Sequence, residues 1–271
     1  MKRRPFRFWF RIFGTLVLLY LLTAYIVLPR LWYDREHQPG LQATSALTST
    51  PQGIPGDPLN VGLAGDVKDV VGAMHKAGWY PADPITLRSS LEIAGSVMLD
   101  MPYKDAPVST LLYEGRPQDL AFEKPIGGSA DRRNHVRFWK ILDKGVEGRP
   151  VWLGSATLDR GVGLSDYTGQ ITHHIAPDID DERNFLIADL TRASIVTRIY
   201  QLTGVGPTVA GRNGEGDWYH TDGEIKVAVI SPGAVAVPAA PETDAGPPFM
   251  QIKDGVWVAV SNLVTPADPS N

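Results

Sequence analysis

The feature that most constrains this chain is an uncharged apolar run over residues 12–28, interrupted only by Gly14, Thr15, Tyr20, Thr23 and Tyr25. With Phe8, Trp9 and Phe10 it reaches the roughly 20 residues a helix needs to cross a bilayer. Apolar side chains surround the segment on all sides, whereas a buried core helix would show one stripe. Lys2, Arg3, Arg4, Arg7 and Arg11 precede the run, and only Arg30 and Arg35 follow closely, offset by Asp34 and Glu36. That asymmetry keeps the N-terminus in the cytoplasm and sends the rest of the chain across the membrane.

A basic start with an apolar run also describes a cleaved signal peptide. Here the run is long and leads into Pro29-Arg30-Leu31-Trp32-Tyr33, without a small-x-small cleavage pattern. Trp32 and Tyr33 suit an interfacial belt. The expectation is therefore an uncleaved single-pass anchor in a cytoplasmic membrane, with the main domain outside it.

Of the 271 residues, some are taken up by the anchor and by Pro/Gly-rich stretches, which leaves one domain of roughly 175 residues. The reading divides the chain into 1–37 (cytoplasmic start, anchor and flank), 38–57 (a flexible linker rich in Pro, Gly, Ser and Thr), 58–230 (the folded domain) and 231–271 (a Pro/Ala-rich linker and a C-terminal hairpin). A net charge of −4 gives no electrostatic case for nucleic acid. The absence of cysteine rules out disulfides, thiolate metal sites and a Cys nucleophile.

Inside the domain, 59–63 reads as a short strand. Asp66 then caps a helix with Val67, Val70, Val71 and Met74 on one face, ended by Gly78. Asp83-Pro84 opens a second helix, with Leu87, Leu91, Ala94 and Met98 inward. Extended segments follow at 110–113, 119–123, 134–141, 151–158 and 171–175, then a helix over 180–193 and a strand over 194–202. Asp222-Gly223 and Asp254-Gly255 are two-residue hairpin signals. Helices first and short strands later predict an α+β domain around a largely antiparallel sheet, preceded by one transmembrane helix.

Residues two apart on a strand share a face, so Arg133, His135, Arg137 and Trp139 line up. Arginine forks bind phosphate and carboxylate bidentately, which makes this row a candidate anion receptor; arginines pairing with acids on neighbouring strands are the plainer account. Asp159 and Arg160 open a glycine-rich turn whose backbone N–H groups suit an anion, although a simple β-turn with an ion pair fits the same residues. Residues 211–217 read as a flexible loop.

The stretch Thr172-His173-His174-Ile175-Ala176-Pro177-Asp178-Ile179-Asp180-Asp181-Glu182-Arg183 concentrates imidazoles and carboxylates. One of His173 and His174, with Asp178 or Asp180 and with His135 from another strand, would form an N/O metal site suited to zinc, manganese or iron. No HExxH or comparable spacing accompanies it, and acids at a helix start ordinarily cap free N–H groups. No P-loop and no GxSxG elbow are present.

Several segments together resemble the LssY C-terminal domain family: Pro58-Leu59-Asn60-Val61-Gly62-Leu63, Asp83-Pro84-Ile85-Thr86-Leu87-Arg88-Ser89-Ser90, Gly115-Arg116-Pro117-Gln118-Asp119-Leu120-Ala121-Phe122, Asn134-His135-Val136-Arg137-Phe138-Trp139, Asp159-Arg160-Gly161-Val162-Gly163 and Thr172-His173-His174-Ile175. The resemblance covers residues 58–230. It implies a bacterial membrane setting, since members sit in membrane proteins and some are attached to DedA-like or PAP2-type segments. It carries across no catalytic residue and no cofactor. A single anchor stands here in place of a multi-pass module, so a phosphatase activity does not follow from it. Three functional expectations result: an envelope module for an anionic, phosphate-bearing ligand such as a lipid headgroup, a metal-assisted phosphoester hydrolase, or an assembly partner of another membrane protein.

Overall fold

A computed structural model of the chain describes residues 6–33, 38–41, 44–82, 110–127, 132–169, 171–202, 210–244, 246 and 248–264. It has two compact units, Met1–His37 and Gln38–Asn271. In the first unit, α1 (Phe6–Leu22) runs through a π-helical turn (Thr23–Val27) into α2 (Leu28–Tyr33). Within it, Arg7–Val27 is a helix of 21 residues with mean hydropathy 1.9, none of it buried. An exposed apolar helix of that length matches a bilayer's hydrocarbon thickness.

The second unit is α+β with a mostly antiparallel sheet, as expected. In chain order its described elements are β1 (Leu47–Ser49), β2 (Pro55–Pro58), β3 (Val61–Ala64), α3 (Val67–Lys76), β4 (Tyr80–Pro81), β5 (Leu112–Tyr113), β6 (Arg116–Pro117), β7 (Leu120–Pro125), β8 (Arg133–Leu142), β9 (Val151–Leu164), β10 (Ile171–Ile175), α4 (Ile179–Arg192), β11 (Val196–Leu202), β12 (Ala210–Arg212), β13 (Trp218–His220), β14 (Ile225–Ile230), β15 (Glu242–Thr243) and α5 (Pro248–Val264). The main sheet runs β15-β11-β14-β3-β9-β8-β7-β4, with β10 paired to β9. Only β14 with β3 and β11 with β15 pair in parallel. A second sheet has the order β2-β1-β5-β6, and β12 pairs with β13.

Period-two alternation splits the main sheet into two buried faces. Val136 and Phe138 of β8 and Ala156 of β9 join Val70, Met74, Leu186 and Leu190 in a core beneath α3 and α4. Trp139 and Leu153 join Leu41, Tyr113, Tyr200 and Val227 in a second core on the other face. Each face buries several large side chains, at about 1.5–3 kcal/mol apiece.

Several expectations need correction. Residues 38–57 are not a tether: they carry β1 and most of β2, and Leu41 is fully buried. Pro39, Gly40, Pro51 and Gly53 sit in turns, whereas Pro55 and Gly56 belong to β2, where a Cβ at Gly56 would lie 2.5 Å from Thr48 Oγ1. Asp159 to Leu164 is not a turn but the second half of β9, paired with β10. Asp222-Gly223 does not join a hairpin, because β13 pairs with β12 while β14 pairs with β11 and β3. The segment 248–264 is helix α5, not a hairpin. Its apolar residues satisfy a helical spacing (Ile252, Val256, Val260, Leu263) as well as an alternating one, and Lys253 to Glu224 (2.5 Å) with Trp257 against His220 (6.3 Å) fix the helical choice. The helix expected from Asp83 lies outside the described residues.

Candidate functional site

The pairing register of β7, β8 and β9 builds a polar patch. Arg133 faces Asp159, His135 faces Thr157 and Glu123, and Arg137 faces Ser155 and Ala121. Because these residues share parity with Trp139 and Leu153, they continue the second core face beyond the point where its apolar residues stop. The row Arg133, His135, Arg137, Trp139 is therefore one face, as the alternation predicted.

Over this patch lies a cavity of about 40 Å³, with Asp57, His135, Arg137, Thr157, Asp159 and His173 in its wall. That is room for one small polar group. Arg137 and His135 are 7% and 4% exposed. Among the described residues, Arg137 Nε and His135 Nε2 are buried with no hydrogen-bond partner. The acids near them stand off: Asp57 is 3.7 Å from Arg137, and Glu123 and Asp159 are 3.7 Å and 3.6 Å from His135. Those separations permit attraction but exceed hydrogen-bonding distance. A buried donor left unmade costs about 1–3 kcal/mol, a cost that a water or a ligand oxygen in the cavity would remove. Arg133, by contrast, is engaged by Glu123 at 2.8 Å.

Burial also sets the protonation here. It lifts the Asp159 carboxyl to about 7 against the pull of Arg137, with Asp57 raising it further. The Asp57 carboxyl is likewise raised by burial. The His135 imidazole is held well below its ordinary value, by burial first and then by the charge of Arg137.

The opposite wall comes from the loop after β12. Asn213, almost fully buried, donates to Asp57 at 3.1 Å and accepts from the N–H groups of Glu215 and Asp217. Residues 211–217 are thus an ordered turn closed by a side chain, not a flexible loop. Asp217 in turn contacts His174 Nδ1 at 2.6 Å and accepts from the Ile175 N–H at 3.0 Å.

Adjacent residues on β10 face opposite ways, so His173 reaches the cavity and His174 does not. His174 lies over Gly163, where a Cβ would be 2.3 Å from its Nε2. Asp178 caps α4, accepting from the N–H groups of Asp180 and Asp181. Asp180 accepts from Thr221 Oγ1 and the Asp222 N–H, and Arg183, 1% exposed, forks Asp222 with two contacts of 2.8 Å. The acid-rich stretch after the histidines is a clamp between α4 and the β13–β14 connection. His135 and His173 share the cavity wall while His174 and Asp178 do not line it, and among the described residues no group of three or more His, Asp or Glu side chains is placed to hold a metal. Arg160, exposed on the opposite face of β9 from Asp159, does not join the cavity.

Asp57, Thr157, Asn213 and Glu123 were missed from the sequence. Thr157 and Glu123 follow from strand parity once the β7-β8-β9 register is known; Asp57 and Asn213 had been read as lying in flexible segments. On the other face of the sheet, Glu182 of α4 is also buried, with Oε1 unpartnered. Burial, followed by Asp189, Asp159 and Asp181, raises its carboxyl to about 8.

The family model of the LssY C-terminus matches residues 37–225. The match begins at residue 37 and so takes in the folded β1–β2 region. Comparison with curated proteins and with solved structures gives no match. Residues 37–225 span most of the chain and contain the whole cavity wall named above, and on that match the chain belongs to the LssY C-terminus family.

Proposed function

We propose that this protein is a single-pass envelope protein of a bacterial cytoplasmic membrane, its N-terminus inside, whose LssY C-terminus domain binds an anionic, phosphate-bearing group in the cavity at Arg137. One observation carries the binding reading: among the described residues, a guanidinium is buried at the cavity wall with its Nε unpartnered and its nearest carboxylate 3.7 Å away. A guanidinium is the side chain best matched to phosphate oxygens. Burial works against the negative charge of Asp57 and Asp159, so these carboxyls oppose an anion less than their formal charges imply, while the same burial favours the neutral form of His135. A protonated Asp159 and a neutral His135 each have one proton to donate to the same oxygens.

The setting is supported by the exposed 21-residue apolar helix and by the basic residues that precede it. The ligand's source is either a soluble phosphate or a lipid headgroup, which share the oxyanion. A metal-assisted hydrolase draws no support from the positions of His174 and Asp178.

The test is equilibrium dialysis of the full chain in detergent micelles against labelled inorganic phosphate, with phosphatidylcholine vesicles containing phosphatidic acid as competitor. Arg137→Gln is expected to reduce binding by at least about tenfold, the scale of one lost charge-assisted contact. Arg160→Gln, on the other strand face, is expected to leave it unchanged. Equal loss in both variants, with both still folded, would assign the binding to general surface charge.

A further inference from the structure

A cleft of about 270 Å³ borders the cavity at Arg137, and Thr50, Leu111, Thr172, Gly214 and Glu215 line both. Gly214 lets its loop approach Thr50 closely at this border, since a Cβ there would lie 2.4 Å from Thr50 Cγ2. Beyond the border the character changes. Pro51, Gln52, Ile54, Thr110 and Thr168 add to the outer wall, and among the described residues no lysine or arginine lines it.

We propose that the outer cleft is a subsite for the alcohol portion of a phosphomonoester, an uncharged polyol of about sugar size, whose phosphate sits against Arg137. The inference rests on the phosphate reading of the inner cavity and adds the rest of the ligand. A second anionic group is disfavoured, because among the described residues the one charged side chain of the outer wall is the Glu215 carboxylate. An acyl chain is disfavoured too, because threonine hydroxyls and the Gln52 amide would lose water without gaining partners. Hydroxyl groups would meet Thr50, Thr110, Thr168, Gln52 and the Glu215 carboxylate, while Pro51, Ile54 and Leu111 offer apolar surface to ring C–H groups. Sites for small polar ligands combine an apolar lining with a few placed polar groups in this way.

The experiment compares inorganic phosphate, methyl phosphate and glucose 1-phosphate by calorimetric titration of the full chain in detergent micelles. Glucose 1-phosphate is expected to bind about tenfold or more tightly than methyl phosphate. Gln52→Ala combined with Thr110→Ala, both exposed positions, is expected to abolish that advantage while inorganic phosphate binds as before. Competition by nanodiscs containing a glycosyl diacylglycerol phosphorylated on its sugar, and not by those containing phosphatidic acid, would support the subsite and identify a lipid headgroup as its source; glucose 1-phosphate binding without such competition would support a soluble ligand. Equal affinity for methyl phosphate and glucose 1-phosphate would overturn the subsite and leave the inner cavity standing. Failure of all three phosphates to bind would overturn both readings.

Discussion

Asp159 and Glu182 are carboxyls on either side of one sheet, raised by burial to about 7 and about 8. For each, the folded-state value lies above the unfolded value near 4, so the folded protein holds the proton more tightly. The stability this gives is complete below about pH 4 and is lost as pH rises through the folded values. Thermal unfolding should therefore occur at falling temperature between pH 5 and 9. Glu182→Gln removes the larger contribution without changing shape, and is expected to flatten that decline and stabilise the protein at pH 9 by an amount of order 2 kcal/mol. A variant that follows the wild-type pH profile would show that Glu182 ionises freely in the fold. The positions of His135 and Arg137 were legible from strand alternation alone. Their loss of partners was not, because it depends on Asp57 and Asn213, residues far away in sequence that sit in turns with no periodic signal.

β9 holds the site together at the scale of elements. Its first half lies between β3 and β8, and its second half carries β10. Glycines make both junctions possible: at Gly154 a Cβ would lie 2.5 Å from Arg137 O and from Phe138 Cδ1. Backbone cannot yield there as a flexible side chain would. Gly154→Ala is expected to cost about 2–4 kcal/mol in chemical denaturation and, by displacing Arg137, to weaken phosphate binding in whatever fraction remains folded. A change below about 0.5 kcal/mol would mean that β8 and β9 separate easily. The same residues explain two misreadings. Gly161 and Gly163 suggested a turn because glycine's loss of packing usually ends a strand, whereas here Gly163 makes room for the His174 ring. α5 was read as a hairpin because a short apolar run satisfies both periods, and only contacts with Glu224 and His220 decide between them.

The whole molecule consists of an exposed apolar helix and a compact α+β unit. The helix, the sheet class and the family were legible, since each depends on composition or on strings of adjacent residues. The start of the folded unit was not, because β1 and β2 are short and rich in turn formers. The full chain is expected to stay with membranes through alkaline carbonate washing, while a chain beginning at Gln38 is expected to appear in the soluble fraction; retention of the shortened chain would mean that the second unit binds membranes by itself. The central claim is that the cavity takes an oxyanion on Arg137 together with a protonated Asp159. Calorimetry with sulfate, whose charge is constant near neutrality, tests it in two buffers of different ionisation enthalpy. The account predicts saturable binding to the full chain at pH 7.5, with net proton uptake and an affinity that falls as pH rises through about 7. Binding with no proton uptake, or no saturable binding at pH 6, would contradict it.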